Sequence, residues 1–334
     1  QSTDIGHPDH FHKVVDCQWA CPAHTPVPEY NRLIAAGRHA DSYMVNWKSN
    51  VFPGVLGRTC DRPCEPACRR GRVEATSGHA AEPVAICRLK RVAADYKGDV
   101  SERMPKPAAK RNGRRIACVG AGPASLTVAR DLAPLGYEVV VYDGEAKAGG
   151  FIRSQIPRFR LPESVIDEEV GYVLDLGVEF RSGQRIDSLR ALLAKGYDAI
   201  FVGCGAPRGR DLDLPGRPEA AAHIHLGIDW LASVSFGHVT EVAPRVIVLG
   251  GGNTAMDCCR SARRLGGSEV TVVVRSGFEE MKASPWEKED AQHEGIPIRN
   301  YLVPLAFLHE DGKLTGMRFQ PVRPEYDDKG RRQL

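Results

Sequence analysis

Two stretches of the sequence share one layout that admits few folds. In "RIACVGAGPASLTVARDLAPLGYEVVVYDG" (residues 115–144) an apolar run meets a glycine turn, a helix-length stretch with Leu126, Ala129, Leu132 and Leu135 on related faces, and a second apolar run. "RVIVLGGGNTAMDCCRSARRLGGSEVTVVVRSG" (residues 245–277) repeats it. Short apolar runs separated by such a segment predict strand, helix, strand, and a crossover of that length makes the strands parallel. Two such units predict an α/β fold with two Rossmann-like, doubly wound sheets.

In the first unit Gly120, Gly122 and Ser125 occupy a G-x-G-x-x-G pattern, with serine for the third glycine. Gly120 permits the tight turn, and Gly122 lets the backbone approach a pyrophosphate, which the helix N-terminus at Pro123 and Ala124 holds through free N–H groups and its dipole. Asp143 closes the second strand about 20 residues on, where a carboxylate accepts hydrogen bonds from a ribose. A plain strand-to-helix turn is the bland alternative; the flanking strands and Asp143 favour dinucleotide binding.

The second unit carries Gly250, Gly251, Gly252, Asn253 and Thr254 directly after its first strand, but Arg275 rather than an acid ends the next one. A carboxylate favours a free 2′-hydroxyl, whereas an arginine tolerates a 2′-phosphate. That leans toward NADP(H), although an arginine at a strand end is commonly just solvated. Two dinucleotide sites suggest a flavin facing a nicotinamide. Hydride passes between such rings without a protein nucleophile, so no catalytic side chain is assigned. The 11 histidines show no zincin-like spacing, and His223 with His225 in "AAHIHLG" reads as ordinary strand chemistry.

Charge gives no case for nucleic acid or an anionic membrane: 45 basic residues against 42 acidic leave +3. No apolar run reaches the roughly 18 residues of a membrane-spanning helix. The stretch "QSTDIGHPDHFHKVV" lacks a signal-peptide layout, so a cytoplasmic location is expected. There the 10 cysteines are expected as thiols or metal ligands rather than disulfides. Cys17, Cys21, Cys60, Cys64, Cys68 and Cys87 precede the first nucleotide unit. Cys118, Cys204, Cys258 and Cys259 lie beside strand or helix patterns and read as packing residues.

The N-terminal part has helical patterns at "PEYNRLIAAGRHADSYMVNW" and "PVAICRLKRVAADY", followed by a charged, proline-containing linker, "KGDVSERMPKPAAKRNGRR". Between the nucleotide units lie helix candidates "PESVIDEEVGYVLDLG" and "SLRALLAKG" and a strand "YDAIFVGCGAP".

These stretches, with "ACPAHTPVPEYNRLIAAGR", "NVFPGVLGRTCDRPCEPAC", "GGFIRSQIPRFRLP" and "GGGNTAMD", resemble a known family across almost the whole chain. It is the small (β) subunit of bacterial glutamate synthase, whose arrangement recurs in dihydropyrimidine dehydrogenase and in NADH-dependent ferredoxin:NADP oxidoreductase. The cysteine wording also resembles flavin subunits attached to tungsten aldehyde oxidoreductases or formate dehydrogenases. The resemblance implies a helical iron–sulfur domain over 1–98, a linker over 99–113, an FAD-binding domain over 114–212 and an NAD(P)H-binding domain over 213–334. It places Gly150, Arg153, Ile156 and Leu161 along the flavin and Gly205 on the strand returning to it. The family then adds a final FAD-binding segment that would begin where this sequence stops.

Thiolates spaced by two to four residues and completed by a distant cysteine suit a 4Fe–4S cube, with a four-thiolate zinc site as the alternative. The resemblance assigns Cys21, Cys60 and Cys64 to one cluster. The family carries Glu or Gln at the position of Lys90, which does not ligate while protonated; Cys87, three residues earlier on the same helical face, substitutes. A second cluster would draw on Cys17 and Cys68 with an upstream C-x-x-C that this sequence lacks, Asp9 and His12 standing there. Without it, Cys17 and Cys68 are packing residues. The expected function is an FAD-dependent NAD(P)H oxidoreductase subunit that exchanges hydride between nicotinamide and FAD and single electrons with the cluster. Its partners would be an oxidoreductase or ferredoxin-like subunit. The alternative is a largely non-catalytic docking module within a redox complex.

Overall fold

A computed structural model describes residues 15–72, 81–326 and 332–333. The chain divides into two compact units, Gln1–Arg153 with Arg158–Gly205, and Ser154–Pro157 with Ala206–Leu334. Asp9 and His12 lie outside the described residues.

The first unit opens with helices α1 (Asp16–Ala20), α2 (Val27–Ala35), α3 (His39–Asn50), α4 (Pro53–Thr59) and α5 (Ile86–Asp95). Proline starts α4 and lies in the first turn of α2, where its missing N–H costs nothing. The pattern read as continuous from residue 28 to 47 is broken at Gly37. Its φ of +71 lets Gly37 and Arg38 donate back to Ile34 and Leu33 and end α2. Tyr43 and Trp47 of α3 then pack on Ala94, Val100 and Met104. Burying side chains of that size stabilises by about 1.5–3 kcal/mol each. Val100 and Met104 belong to the charged stretch after α5, which is therefore held by packing rather than hanging as a free tether.

Strands β1 (Arg115–Val119), β2 (Glu138–Tyr142), β3 (Glu179–Arg181) and β4 (Ala199–Val202) form a parallel sheet in the order β3-β2-β1-β4. Helix α6 (Pro123–Leu132) crosses from β1 to β2, and α7 (Glu163–Leu174) precedes β3. Strand order reverses at β1, so its carboxyl end is the switch point where such sheets bind ligands, and Gly120 stands there. Arg130 of α6 ties the helical module to the sheet layer: its Nη1 donates to Trp47 O at 2.7 Å and its guanidinium lies 4.8 Å from the Trp47 ring centre.

Ser125 fits without pushing α6 away from the sheet. It is fully buried, and a Cβ on Gly203, just past β4, would collide with its Oγ. The glycine missing from α6 is thus compensated by one across the sheet. Gly120 has no such freedom. Its φ is +94 and an added Cβ would stand 2.5 Å from Gly203 O. Gly120→Ala is expected to cost about 1–3 kcal/mol in strain and to weaken flavin retention, measured by thermal unfolding and flavin content.

In the second unit, α8 (Gly227–Ser235) precedes the parallel sheet β5-β6-β7, formed by β5 (Arg245–Leu249), β6 (Glu269–Val273) and β7 (Ile298–Arg299). Helix α9 (Asn253–Arg264) packs Met256, Cys259 and Ala262 on Val270, Val272 and Ile296, and α10 (Pro285–His293) leads to β7. A hairpin of β8 (Leu302–Glu310) and β9 (Lys313–Pro321) follows, absent from the sequence expectations. Its Asp311-Gly312 turn has both φ values positive, +49 and +76, as tight hairpins require.

Two expectations are corrected here. His223 ends the short helical turn Ala221–His223 and His225 follows in irregular chain, not in a strand, because turn bonds from Ala220, Ala221 and His223 to residues three or four back replace any ladder. Cys118, Cys258 and Cys259 are buried, but Cys204 is exposed, since its neighbours Gly203 and Gly205 have no side chains to cover it. The α/β class, a helical module followed in sequence by two parallel, nucleotide-type sheets, is the expected one.

Candidate cofactor sites

Cys60 caps the C-terminus of α4, and the loop beyond it turns sharply through Arg62 at φ +55 and Pro63 to bring Cys64 inward. Glu65 fastens this loop to α5: its Oε1 accepts the Cys87 N–H at 2.9 Å, at the open end of the helix. Cys21 comes from the turn after α1, where Thr25 Oγ1 lies 3.3 Å from its sulfur and accepts from Asn50 Nδ2 at 2.7 Å. Cys21, Cys60 and Cys64 line one cavity of about 220 Å³, with Cys87 against Cys60. Cys17 and Cys68 are half-buried, and Cys17 is raised first by burial and also by the neighbouring Cys68.

The thiols are set apart electrostatically. Cys60 is lowered to about 6, first because Cys87 donates to it, then by the Lys90 ammonium and the Arg62 N–H, against a burial penalty. Burial pushes Cys64 up to about 12, and Cys87 is raised by its bond to Cys60 and by burial. Among the described residues no three His, Cys, Asp or Glu side chains converge to hold a single ion. Zinc draws its thiolates to about 2.3 Å of one point, whereas a cube gives each thiolate its own iron and needs them farther apart. Four thiols brought together from separate segments of the helical module are a donor set that a cluster could take.

A second cavity of about 240 Å³ lies between the helical module and the first nucleotide turn, bounded by Val55, Leu56, Pro123, Ala124, Thr127 and Ile152. Asn50 and Leu56 border both cavities, so the two adjoin. Gly122 caps α6, and the segment from Gly150 folds over it so closely that a Gly150 Cβ would lie 2.8 Å from Gly122 Cα. Asp143 accepts from the N–H groups of Ala121 and Glu145 and so braces the turn. Arg153 is buried and occupied by Ala148 O, Glu163 and Asp167; it positions the segment rather than offering free charge. Leu161 is fully buried, Ile156 half-buried, and Gly205 adopts φ +66.

In the second unit Gly250 has φ +128, and a Cβ on Gly251 would press at 3.1 Å on Val274 and Met281. Gly252 caps α9 with open space before it. Asn253 accepts the Ser284 N–H at 2.8 Å, pinning the turn, while Thr254 and Arg275 are exposed.

One buried residue escaped the sequence reading. Glu169 sits on the apolar face of α7 with Ile166, Val170 and Val173, and its carboxylate accepts from Gly54 N (2.6 Å), Val55 N (3.0 Å) and Tyr43 Oη (2.8 Å). It caps α4, the helix that ends at Cys60. Burial raises it to about 7 against these three donors and the nearby Lys97 ammonium, itself bound to Glu168. A raised carboxylate binds its proton more tightly folded than unfolded, so stability is greatest below its ordinary value and falls as pH climbs from there through 7. The loss is expected to be about 3 kcal/mol, measured as urea midpoints across that range, and absent in Glu169→Gln.

Residues 114–317 match the pyridine nucleotide-disulphide oxidoreductase family, and residues 12–101 match dihydropyrimidine dehydrogenase domain II, 4Fe-4S cluster. The chain belongs to the pyridine nucleotide-disulphide oxidoreductase family. It is 34% identical to the NADP(+)-dependent formate dehydrogenase subunit beta of Moorella thermoacetica, over 95% of this chain and 47% of that protein. It is 31% identical to the glutamate synthase [NADPH] small chain of Escherichia coli, over 95% and 69%. The chain thus spans about half the length of the formate dehydrogenase subunit. Mycobacterium tuberculosis FprA in complex with NADPH shares the fold at a TM-score of 0.54 and 17% identity, over 66% of each chain. Among the described residues no helix is long and apolar enough to cross a membrane.

Proposed function

We propose that the chain is an electron-transfer oxidoreductase subunit in which hydride passes between NAD(P)H and FAD and single electrons between FAD and a 4Fe–4S cluster. The observation that carries this reading is the pair of adjoining cavities, one lined by cysteines and one by the first nucleotide turn, with Asn50 and Leu56 common to both. Cys21, Cys60, Cys64 and Cys87 would hold the cluster. Gly120, Gly122, Pro123, Ala124 and Asp143 would hold the FAD phosphates and ribose, with Gly150, Ile156, Leu161 and Gly205 flanking it and Arg153 fixing that flank. Gly250, Gly251, Gly252, Asn253 and Thr254 would hold the nicotinamide dinucleotide, and Arg275 suits a 2′-phosphate. Those dinucleotide-binding segments fall within 114–212 and 213–334, behind a cluster domain over 1–98 joined by 99–113.

A flavin takes up two electrons and a cluster passes one, so the pair needs an acceptor or donor beyond this chain. The relatives named as beta subunit and small chain support a partner oxidoreductase or ferredoxin-like subunit, in the cytoplasm. Cys17 and Cys68 would serve a second cluster only with ligands from the segment before residue 15. The test is the metal and flavin content of protein purified without oxygen. About four irons with matching acid-labile sulfide and bound FAD are expected. Absence of all three leaves the docking module as the reading.

A further inference from the structure

Two polar groups in the cysteine cavity make no hydrogen bond among the described residues. Tyr30 of α2 is fully buried, lines the cavity, and its hydroxyl has no hydrogen bond among the described residues. Its electrostatic neighbours are the thiols of Cys64, Cys87, Cys21 and Cys17. Lys90 of α5 lines the same cavity at 5% exposure, and among the described residues its ammonium makes no hydrogen bond or salt bridge. Its electrostatic partners are Cys60, Cys64 and Cys87. A buried hydroxyl without an acceptor is costly. That cost is relieved, and the Lys90 ammonium gains an anion beyond the Cys60 thiolate, if the cavity contains something anionic that accepts hydrogen bonds through sulfur.

We propose that Lys90 and the Tyr30 hydroxyl are the groups that set the reduction potential of the cluster held by Cys21, Cys60, Cys64 and Cys87. The inference rests on that ligand set. Reduction adds one electron, supplied by reduced flavin or by an external donor, to a centre that four thiolates already make anionic, and no bond is broken. A fixed cation in a low-dielectric cavity stabilises the added charge more than the oxidised state, and hydrogen bonds to sulfur act in the same direction. Lys90 and Tyr30 therefore hold the potential up. Neither touches the nicotinamide or flavin turns, so both are positioning residues for electron transfer rather than catalytic ones. Lys90 also explains a feature of the sequence: a residue unable to ligate stands where the resembled family has a carboxylate or amide, one turn from the cysteine that substitutes for it.

The test is a mediated redox titration of the anaerobically purified chain, read by the electron paramagnetic resonance signal of the reduced cluster, with iron and sulfide counted in each sample. Lys90→Met is expected to make the one-electron reduction equilibrium at least tenfold less favourable, a downward shift of about 59 mV or more. Tyr30→Phe is expected to move it in the same direction by less, and Lys90→Arg to stay close to the parent protein. Full iron content in Lys90→Met with an unchanged or raised potential overturns the inference while leaving the ligand set intact. If Lys90→Met loses its iron, Lys90→Gln is titrated instead. Loss in both makes Lys90 an assembly residue and overturns the inference. Parent protein without iron and sulfide overturns the ligand set itself, and this inference with it.

Discussion

Glu169→Ala is expected to lower the stability of the first unit by about 3–6 kcal/mol, since it strands the Gly54 and Val55 N–H groups and the Tyr43 hydroxyl in the interior. Each buried polar group left without a partner costs about 1–3 kcal/mol. For a unit of this size that corresponds to a fall of roughly 10 °C in Tm. The effect reaches the metal site as well. With its N-terminal cap gone, α4 no longer fixes the direction in which Cys60 leaves its C-terminus, so iron content is expected to fall with Tm. Glu169→Gln keeps an acceptor oxygen for part of the set and should lie between the two. A Glu169→Ala protein with parental Tm and iron would show that α4 is positioned without Glu169.

Replacing a cysteine of the proposed ligand set is expected to have the largest effect on cofactor content. Loss of an outer-shell partner usually lowers metal affinity by about 10–100-fold, and loss of a direct thiolate exceeds that. Cys64→Ala should therefore yield protein without iron or sulfide but with its flavin retained, because Cys64 belongs to the core of the helical module and not to the nucleotide turn. Cys68→Ala is the matched comparison: half-buried and outside the cavity, it should keep its iron. Equal loss of iron in both variants would mean that the ligand set has been drawn wrongly. Colour, iron and sulfide assays decide it.

The parallel sheets were legible because their signals are local and doubled: two apolar runs around a glycine turn, written twice. The helical module was legible in two helical patterns, and its iron–sulfur character came through the family resemblance. The rest depended on contacts between distant residues. Gly203 makes room for Ser125 across the sheet, a compensation no pattern within "GAGPAS" contains. Glu169 reads as one more charge on a helix until α4 lies over it. The break at Gly37 and the Asp311-Gly312 hairpin did have local signals. The first lay inside a continuous helical pattern that masked it, and the second follows strands whose alternation is interrupted by Pro304 and a shift of register. Arg153 was placed along the flavin by the family resemblance of its segment, and its ion pairs with Glu163 and Asp167 join residues 10 and 14 positions apart that no motif marks.

The central claim is that nicotinamide, flavin and cluster form one chain of electron transfer, and an anaerobic titration with NADPH and with NADH tests it most directly. Visible absorbance should show the flavin bleaching with at least one of them, with NADPH favoured by Arg275, and the cluster signal rising afterwards at the expense of reduced flavin. Protein that contains FAD and iron yet bleaches with neither nucleotide would contradict the account.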